Sequence, residues 1–330
     1  MRKFAAVLFI GLVALSAPAR AQPAFAGKTV TVVVGYGGYD RIARLVAKYL
    51  PRYLPGNPGG AVRNLPGDNS IVAANYVYNV ADPDGLTIGL FDRNLILGQL
   101  INIAGVRYDM RKFVQLGSMA SETSVLVVRT GLPLKTFDEL RQSARPVILG
   151  ATGPGSNTYD FPLLLKAFLN IPIRIVSGYP SSADIMQAVV RGDVDGRAGS
   201  YSSVKSFIDR GVVRALVRSR GPDAEIARLP VDEDLAPTAQ AKQVMALRSI
   251  PEVVGRPFVA PPGTPPAIAN LLQQAIAKVA SDRAFLTEAG QAHFLINFIP
   301  GDRVGRIDRE VLGAPPGVVK IFSQFFKFAE

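Results

Sequence analysis

The sequence predicts an α/β protein of two lobes, built on mainly parallel sheets with helices on both faces. Three observations carry this. Short β-branched runs alternate with longer amphipathic ones in the order β-α-β-α-β. The alternation occurs twice along the chain. The 330 residues, 48% of them hydrophobic, are enough for two domains that each bury a core.

The elements follow in order. Thr29–Val34 is β-branched and stops at Gly35, as a buried strand would. Asp40 then stands as the cap of a helix with Ile42, Leu45, Val46 and Tyr49 at helical spacing, and Pro51 and the Pro/Gly-rich residues 55–60 end it. A second helix fits residues 70–81, and Asp82-Pro83-Asp84-Gly85 turns the chain into a strand at 86–91. After a connecting strand at 125–128, the pattern begins again. A strand ends in the turn 150–156, and a helix follows over 158–169. Next come the strand Ile173–Val176, the helix Ser182–Arg191 and a strand at 212–217. Residues 256–260 read as one more strand. Thr264 is placed to cap a helix with Pro265 at its first position and a stripe of Ile268, Leu271, Leu272, Ala275, Ile276 and Val279.

The chain start reads as an export signal over residues 1–21. Arg2 and Lys3 precede an uncharged stretch from Phe4 to Ala17, and Ala19-Arg20-Ala21 fits a small-x-small cleavage site. Fourteen residues at ~1.5 Å each fall short of a bilayer core of ~30 Å. With no Cys in the chain, a lipid anchor, disulfides and thiol catalysis are excluded, and a single His leaves few ligands for zinc. The expected product is a periplasmic protein. Its formal charge of +11 falls to +8 when Arg2, Lys3 and Arg20 leave with the signal. The remaining basic residues are scattered, so no nucleic-acid partner is expected, and a mild positive field suits small anions.

Two glycine-rich turns, Gly35-Tyr36-Gly37-Gly38-Tyr39-Asp40 and residues 150–157, each follow a strand and precede a helix. Converging backbone N–H groups and a helix N-terminus make such a turn suited to a carboxylate or phosphate, although glycines also serve turn geometry alone. Nucleotide motifs fail. Asp40 stands where G-x-G-x-x-G needs its third glycine, and Pro154 lacks the N–H a pyrophosphate would need. Gly27-Lys28-Thr29 has Gln22 in place of the first Walker glycine. Asp193-Val194-Asp195 is too short for a calcium loop. A hydrolase would draw on Ser156, Ser181, Ser182, Ser200, Ser202 or Ser203 with His293, but there is no G-x-S-x-G elbow and no S-x-x-K.

The ordered set Gly37-Gly38-x-Asp40, Arg63-Asn64-Leu65-Pro66-Gly67 and Pro83-Asp84-Gly85-Leu86-Thr87 is one half of a pattern. The other half is the turn 150–156, Gly178-Tyr179, Gly192-Asp193-Val194-Asp195 and Ala260-Pro261-Pro262-Gly263-Thr264-Pro265. Together, from about residue 28 to 300, it resembles the solute receptors of tripartite tricarboxylate transporters, the Bug-type receptors. The resemblance implies a two-lobed type 2 periplasmic binding protein fold, with lobe 1 from residues 28–130 and 245–330 and lobe 2 from 131–244. It implies a small carboxylate or related anionic metabolite held between the lobes, delivery to a membrane permease, no catalytic role and no cofactor. A monomer is expected. Carried over by position, the ligand-binding turns become Gly35, Tyr36, Gly37, Gly38, Tyr39 and Asp40, and Thr152, Gly153, Gly155, Ser156 and Asn157, with Ser181 and Ser200 beside them.

Three stretches depart from the family pattern: Tyr36 and Tyr39 in the first turn, Phe91-Asp92-Arg93-Asn94, and residues 196–201 with Arg197. Arg93 and Arg197 are therefore candidates for a charge-assisted bond to the ligand, the alternative being that they pair with Asp92 or Asp195. Two other functions fit an exported α/β chain: a hydrolase-like enzyme, and a ligand sensor docking on a membrane kinase.

Overall fold

The computed structural model describes residues 24–35, 39–67, 70–292 and 294–325. The expected signal, together with Tyr36, Gly37, Gly38 and His293, lies outside the described residues.

Two sheets organise the chain. In the first, β1 (Thr29–Val34) has β2 (Gly59–Asn64) and β3 (Thr87–Leu90) parallel on either side. Val32, Val33 and Val34 are buried, as their unbroken apolar run requires. β2 is too rich in glycine to announce itself as a strand. Gly60 is required there because a Cβ would sit 1.9 Å from the carbonyl oxygen of Ala47, on the helix packed above. β4 (Val114–Ser118), β10 (Pro257–Ala260) and β11 (Ile299–Pro300) complete the order β11-β4-β10-β3-β1-β2.

The second sheet holds β5 (Ser124–Arg129), β6 (Val147–Gly150), β7 (Ile173–Val176), β8 (Gly196–Ser200) and β9 (Val213–Arg218) in the order β7-β6-β8-β5-β9. Both sheets share one plan: three parallel strands, then one antiparallel strand, then a strand running with the first three. The antiparallel strand is β10 in the first sheet and β5 in the second. Each is the strand that begins after the chain has crossed from the other lobe. The sheets are thus mixed, with most strands pointing one way. One boundary moves: β5 was assigned by sequence to lobe 1, but it pairs with β8 and β9, so the first crossing lies at residues 119–123 and not at 130. A buried β-branched run can pair in either sheet, and its own pattern does not say which.

On the first sheet lie α1 (Asp40–Tyr49), α2 (Ile71–Asn79), α3 (Leu95–Leu100), α9 (Pro266–Ser281), α10 (Arg283–Gln291) and α11 (Gly301–Leu312). The second carries α4 (Phe137–Arg141), α5 (Asn157–Leu169), α6 (Ser182–Arg191) and α7 (Tyr201–Asp209). α8 (Ala239–Ser249) lies in the return crossing, and α12 (Pro316–Phe325) packs against it and against lobe 2, with the Phe168 and Phe325 rings 5.0 Å apart. Thr264 is not a cap: its hydroxyl donates to Pro261 O at 2.8 Å, and α9 starts after Pro265.

The apolar stripes of α1, α9 and α10 close over one face of the first sheet through Ile42, Val46, Leu272 and Phe285. The other face, around Val33, Phe91 and Phe113, is continuous with a core under lobe 2 that includes Phe161, Leu165 and Val217. The lobes therefore share one hydrophobic base, with the carboxyl ends of β1, β3, β6 and β8 above it.

Candidate ligand-binding site

The loop after β3 is fixed from within. Gly35 cannot carry a Cβ, because one would lie 2.5 Å from Ser70 Cβ; this brings the Ser70 hydroxyl in to accept a bond from Asp92 N at 3.2 Å. Asp92 in turn accepts the Asn94 N–H at 2.8 Å, an Asx turn that starts α3. The loop then reaches across to lobe 2: Asn94 Nδ2 donates to Gly155 O at 3.3 Å, and both terminal nitrogens of Arg93 lie 3.5 Å from Ser200 Oγ.

These groups enclose a cavity of about 130 Å³ between the lobes. Lobe 1 contributes Tyr39, Asp92, Arg93 and Asn94; lobe 2 contributes Ser156, Asn157, Ser200 and Ser203; the crossings contribute Glu122 and Arg256. Arg93 is only 7% exposed, and among the described residues no carboxylate lies within ion-pair reach of it. Its Nε has no hydrogen-bond partner, and its contacts to Ser200 are at the limit of a bond. Burial works against its charge, but the field of the Glu252, Glu122 and Asp92 carboxylates favours it and keeps the guanidinium protonated. A desolvated guanidinium with unmet donors is a receptor for an oxyanion.

Arg256, by contrast, has an acidic partner, although its Nη1 is also left without a hydrogen bond. It pairs with buried Glu122 at 2.7 Å, and the Ser202 hydroxyl donates to the same carboxylate at 2.8 Å. Burial raises the Asp92 carboxyl above its usual range, with Arg93 and the Asn94 N–H pulling the other way.

The residues expected at the site separate into three groups. Tyr39, Arg93, Ser156, Asn157 and Ser200 line the cavity, and Arg197 lines a wider chamber outside it. Gly35, Thr152, Gly153 and Gly155 shape the turns beneath. Asp40 and Ser181 serve helices: the Asp40 carboxylate accepts from Arg44 Nε at 2.8 Å and Asn64 Nδ2 at 2.9 Å, and Arg44 holds its pKa low. Ser181 caps α6 through the N–H groups of Ala183 and Asp184.

The second glycine-rich turn is largely spent on itself. Thr152 N donates to Thr158 Oγ1 at 3.0 Å, Gly155 N to Asp160 Oδ1 at 3.0 Å, and Ser156 N to Gly153 O at 3.2 Å. The N–H groups expected to converge on a ligand are in these cases taken. Nor do the arginine pairs with Asp92 or Asp195, given as the alternative, form. Asp195 binds Arg129 and Arg145, and Arg197 donates to Ser203 Oγ at 2.7 Å. Glu122 and Arg256 escaped the sequence reading, since neither sits in a motif and only the two crossings bring them together.

Two α/β lobes with the same strand order, joined by two crossings around a polar cavity, define a solute-binding protein of the two-lobed kind. Residues 42–294 match the model of the tripartite tricarboxylate transporter family receptor, and the chain belongs to that family. Members of this family bind solutes and are not enzymes, so the hydrolase alternative falls. No curated protein matches the sequence. Among solved structures, the periplasmic binding protein BugD is similar at 17% identity and a TM-score of 0.71, over 93% of this chain and 100% of that one. An R. palustris protein with adipate gives 20% and 0.69, over 92% and 98%. MatC from Rhodopseudomonas palustris with bound malate gives 21% and 0.66, over 91% and 99%.

Proposed function

We propose that this chain is a periplasmic receptor that captures a small carboxylate between its lobes and delivers it to a membrane permease. Arg93 is the observation that carries the reading: a buried guanidinium with unmet donors, facing a cavity with hydroxyls from both lobes. The carboxylates named for the malate- and adipate-bound relatives support the same ligand class. Export fits the leader read in residues 1–21, and among the described residues no helix is long and apolar enough to cross a membrane. Capture works by closure only if the ligand binds the closed form better, and a ligand bridging Arg93 of lobe 1 to Ser156 and Asn157 of lobe 2 meets that condition.

The test is thermal unfolding of the mature protein against mono-, di- and tricarboxylates, followed by titration of the best ligand. Arg93→Met is expected to weaken binding by about 1.5–3 kcal/mol, roughly 10- to 150-fold, and Arg93→Lys by less. Equal affinity in a folded Arg93→Met variant would remove Arg93 from the site.

A further inference from the structure

The cavity beside Arg93 is small. At ~30 Å³ per water it has room for about four waters, which suits a head group and a few carbons. It does not end there, however. Ser182, Ser203 and Arg256 also line a second, outer chamber of about 650 Å³. This chamber lies between α6 and α7 of lobe 2 and Arg41 and Phe294 of lobe 1.

Its wall combines two properties. Met186, Val190, Phe207 and Phe294 make it apolar, and Val190, 60% exposed, is one of few large apolar side chains left in water. Arg41 and Arg197 make it cationic; of the two other arginines in the wall, Arg256 is paired with Glu122 at 2.7 Å and Arg191 with Asp193 at 2.8 Å. Among the described residues no carboxylate lines the chamber. The guanidinium groups of Arg41 and Arg256 stand 5.7 and 5.1 Å from the centre of the Phe294 ring, which holds that ring at the junction with the inner cavity. An apolar surface under a positive field suits an organic anion with a hydrophobic body and disfavours sugars and cations.

We infer that the ligand is an amphipathic carboxylate: its head group sits at Arg93, and an aryl ring or medium-length alkyl chain occupies the outer chamber against Met186, Phe207 and Phe294. This rests on the carboxylate reading above and extends it to the substrate class. The inner cavity selects for a single charged head, and the outer chamber rewards apolar length.

Calorimetric titration of the mature protein with butanoate, hexanoate, octanoate, phenylacetate, phenylbutanoate and malate tests it. Affinity is expected to rise by up to about fourfold per buried methylene along the alkanoates, with phenylbutanoate above phenylacetate. Val190→Asp, at an exposed position that leaves folding intact, is expected to weaken octanoate at least tenfold while butanoate is little changed. If malate binds and the series is flat with chain length, the inference is overturned and the carboxylate reading stands. If no carboxylate binds, both fall. Tight octanoate binding that Val190→Asp leaves untouched would place the chain elsewhere and overturn the outer chamber.

Discussion

Buried ionisable side chains do different work according to what faces them. Arg93 keeps its charge with donors to spare, which suits binding. Asp308 on α11 is the reverse case: nearly enclosed, it accepts one bond from Gln115 Nε2 at 2.8 Å, and burial pushes its pKa up to about 7 against the weaker pull of Arg309. A carboxyl raised in the folded state stabilises the fold fully below its unfolded pKa of ~3.9, and that contribution is lost as pH rises through the folded value. Stability should therefore decline from about pH 4 to pH 7 by on the order of 1 kcal/mol per unit from this group. Asp308→Asn is expected to flatten that part of the profile, so that the variant gains on the parent as pH rises. Urea unfolding at pH 5 and pH 7.5 checks this; parallel profiles would count against it.

At the level of elements, strand and helix patterns were legible wherever side chains alone define the element. β1, β7 and α6 fall where hydrophobic periodicity puts them, because their β-branched or amphipathic runs are long enough to commit locally. β2 and β4 were not legible. Gly60 of β2 lets α1 approach, and β4 has a single β-branched residue, Val114, and ends in Gly117 and Ser118, so each is a strand because a neighbour pairs with it. The same distinction separates the residues of the site. Ser181 was grouped with ligand residues by its position, yet its hydroxyl caps α6. Ser181→Ala is expected to cost about 1 kcal/mol of stability and to leave ligand affinity unchanged; thermal melts with and without ligand separate the two effects. A selective loss of affinity would return Ser181 to the site.

Across the whole molecule, the two crossings are knotted together by one buried carboxylate. Glu252 accepts from Ser124 N at 3.1 Å and from the hydroxyls of Ser124 and Ser219, and it pairs with Arg248 at 2.6 Å. Arg248 also donates to Asn157 Oδ1 at 3.2 Å and lies 4.6 Å from the centre of the Phe161 ring. The ligand cavity and the return crossing thus share Asn157. Arg248→Met strands the Glu252 charge and is expected to cost about 3–5 kcal/mol, much of which the double variant Arg248→Met/Glu252→Gln recovers. Chemical unfolding of the three variants measures this, and a loss under about 1 kcal/mol in the single variant would mean that the network carries little.

The chain's own pattern was sufficient for the two α/β lobes and the strand-turn-helix units, and it placed Tyr39, Arg93 and Ser200 near a site. The lobes and the strand-turn-helix units follow from local periodicity and turn chemistry, which a few neighbouring residues settle; the three site positions follow from the family resemblance. Which sheet β5 joins, and that Arg256 has Glu122 while Arg93 has no acidic partner among the described residues, were decided only by tertiary structure. Each depends on groups far apart in sequence meeting across a crossing, where pairing and desolvation act together and no local signal records them.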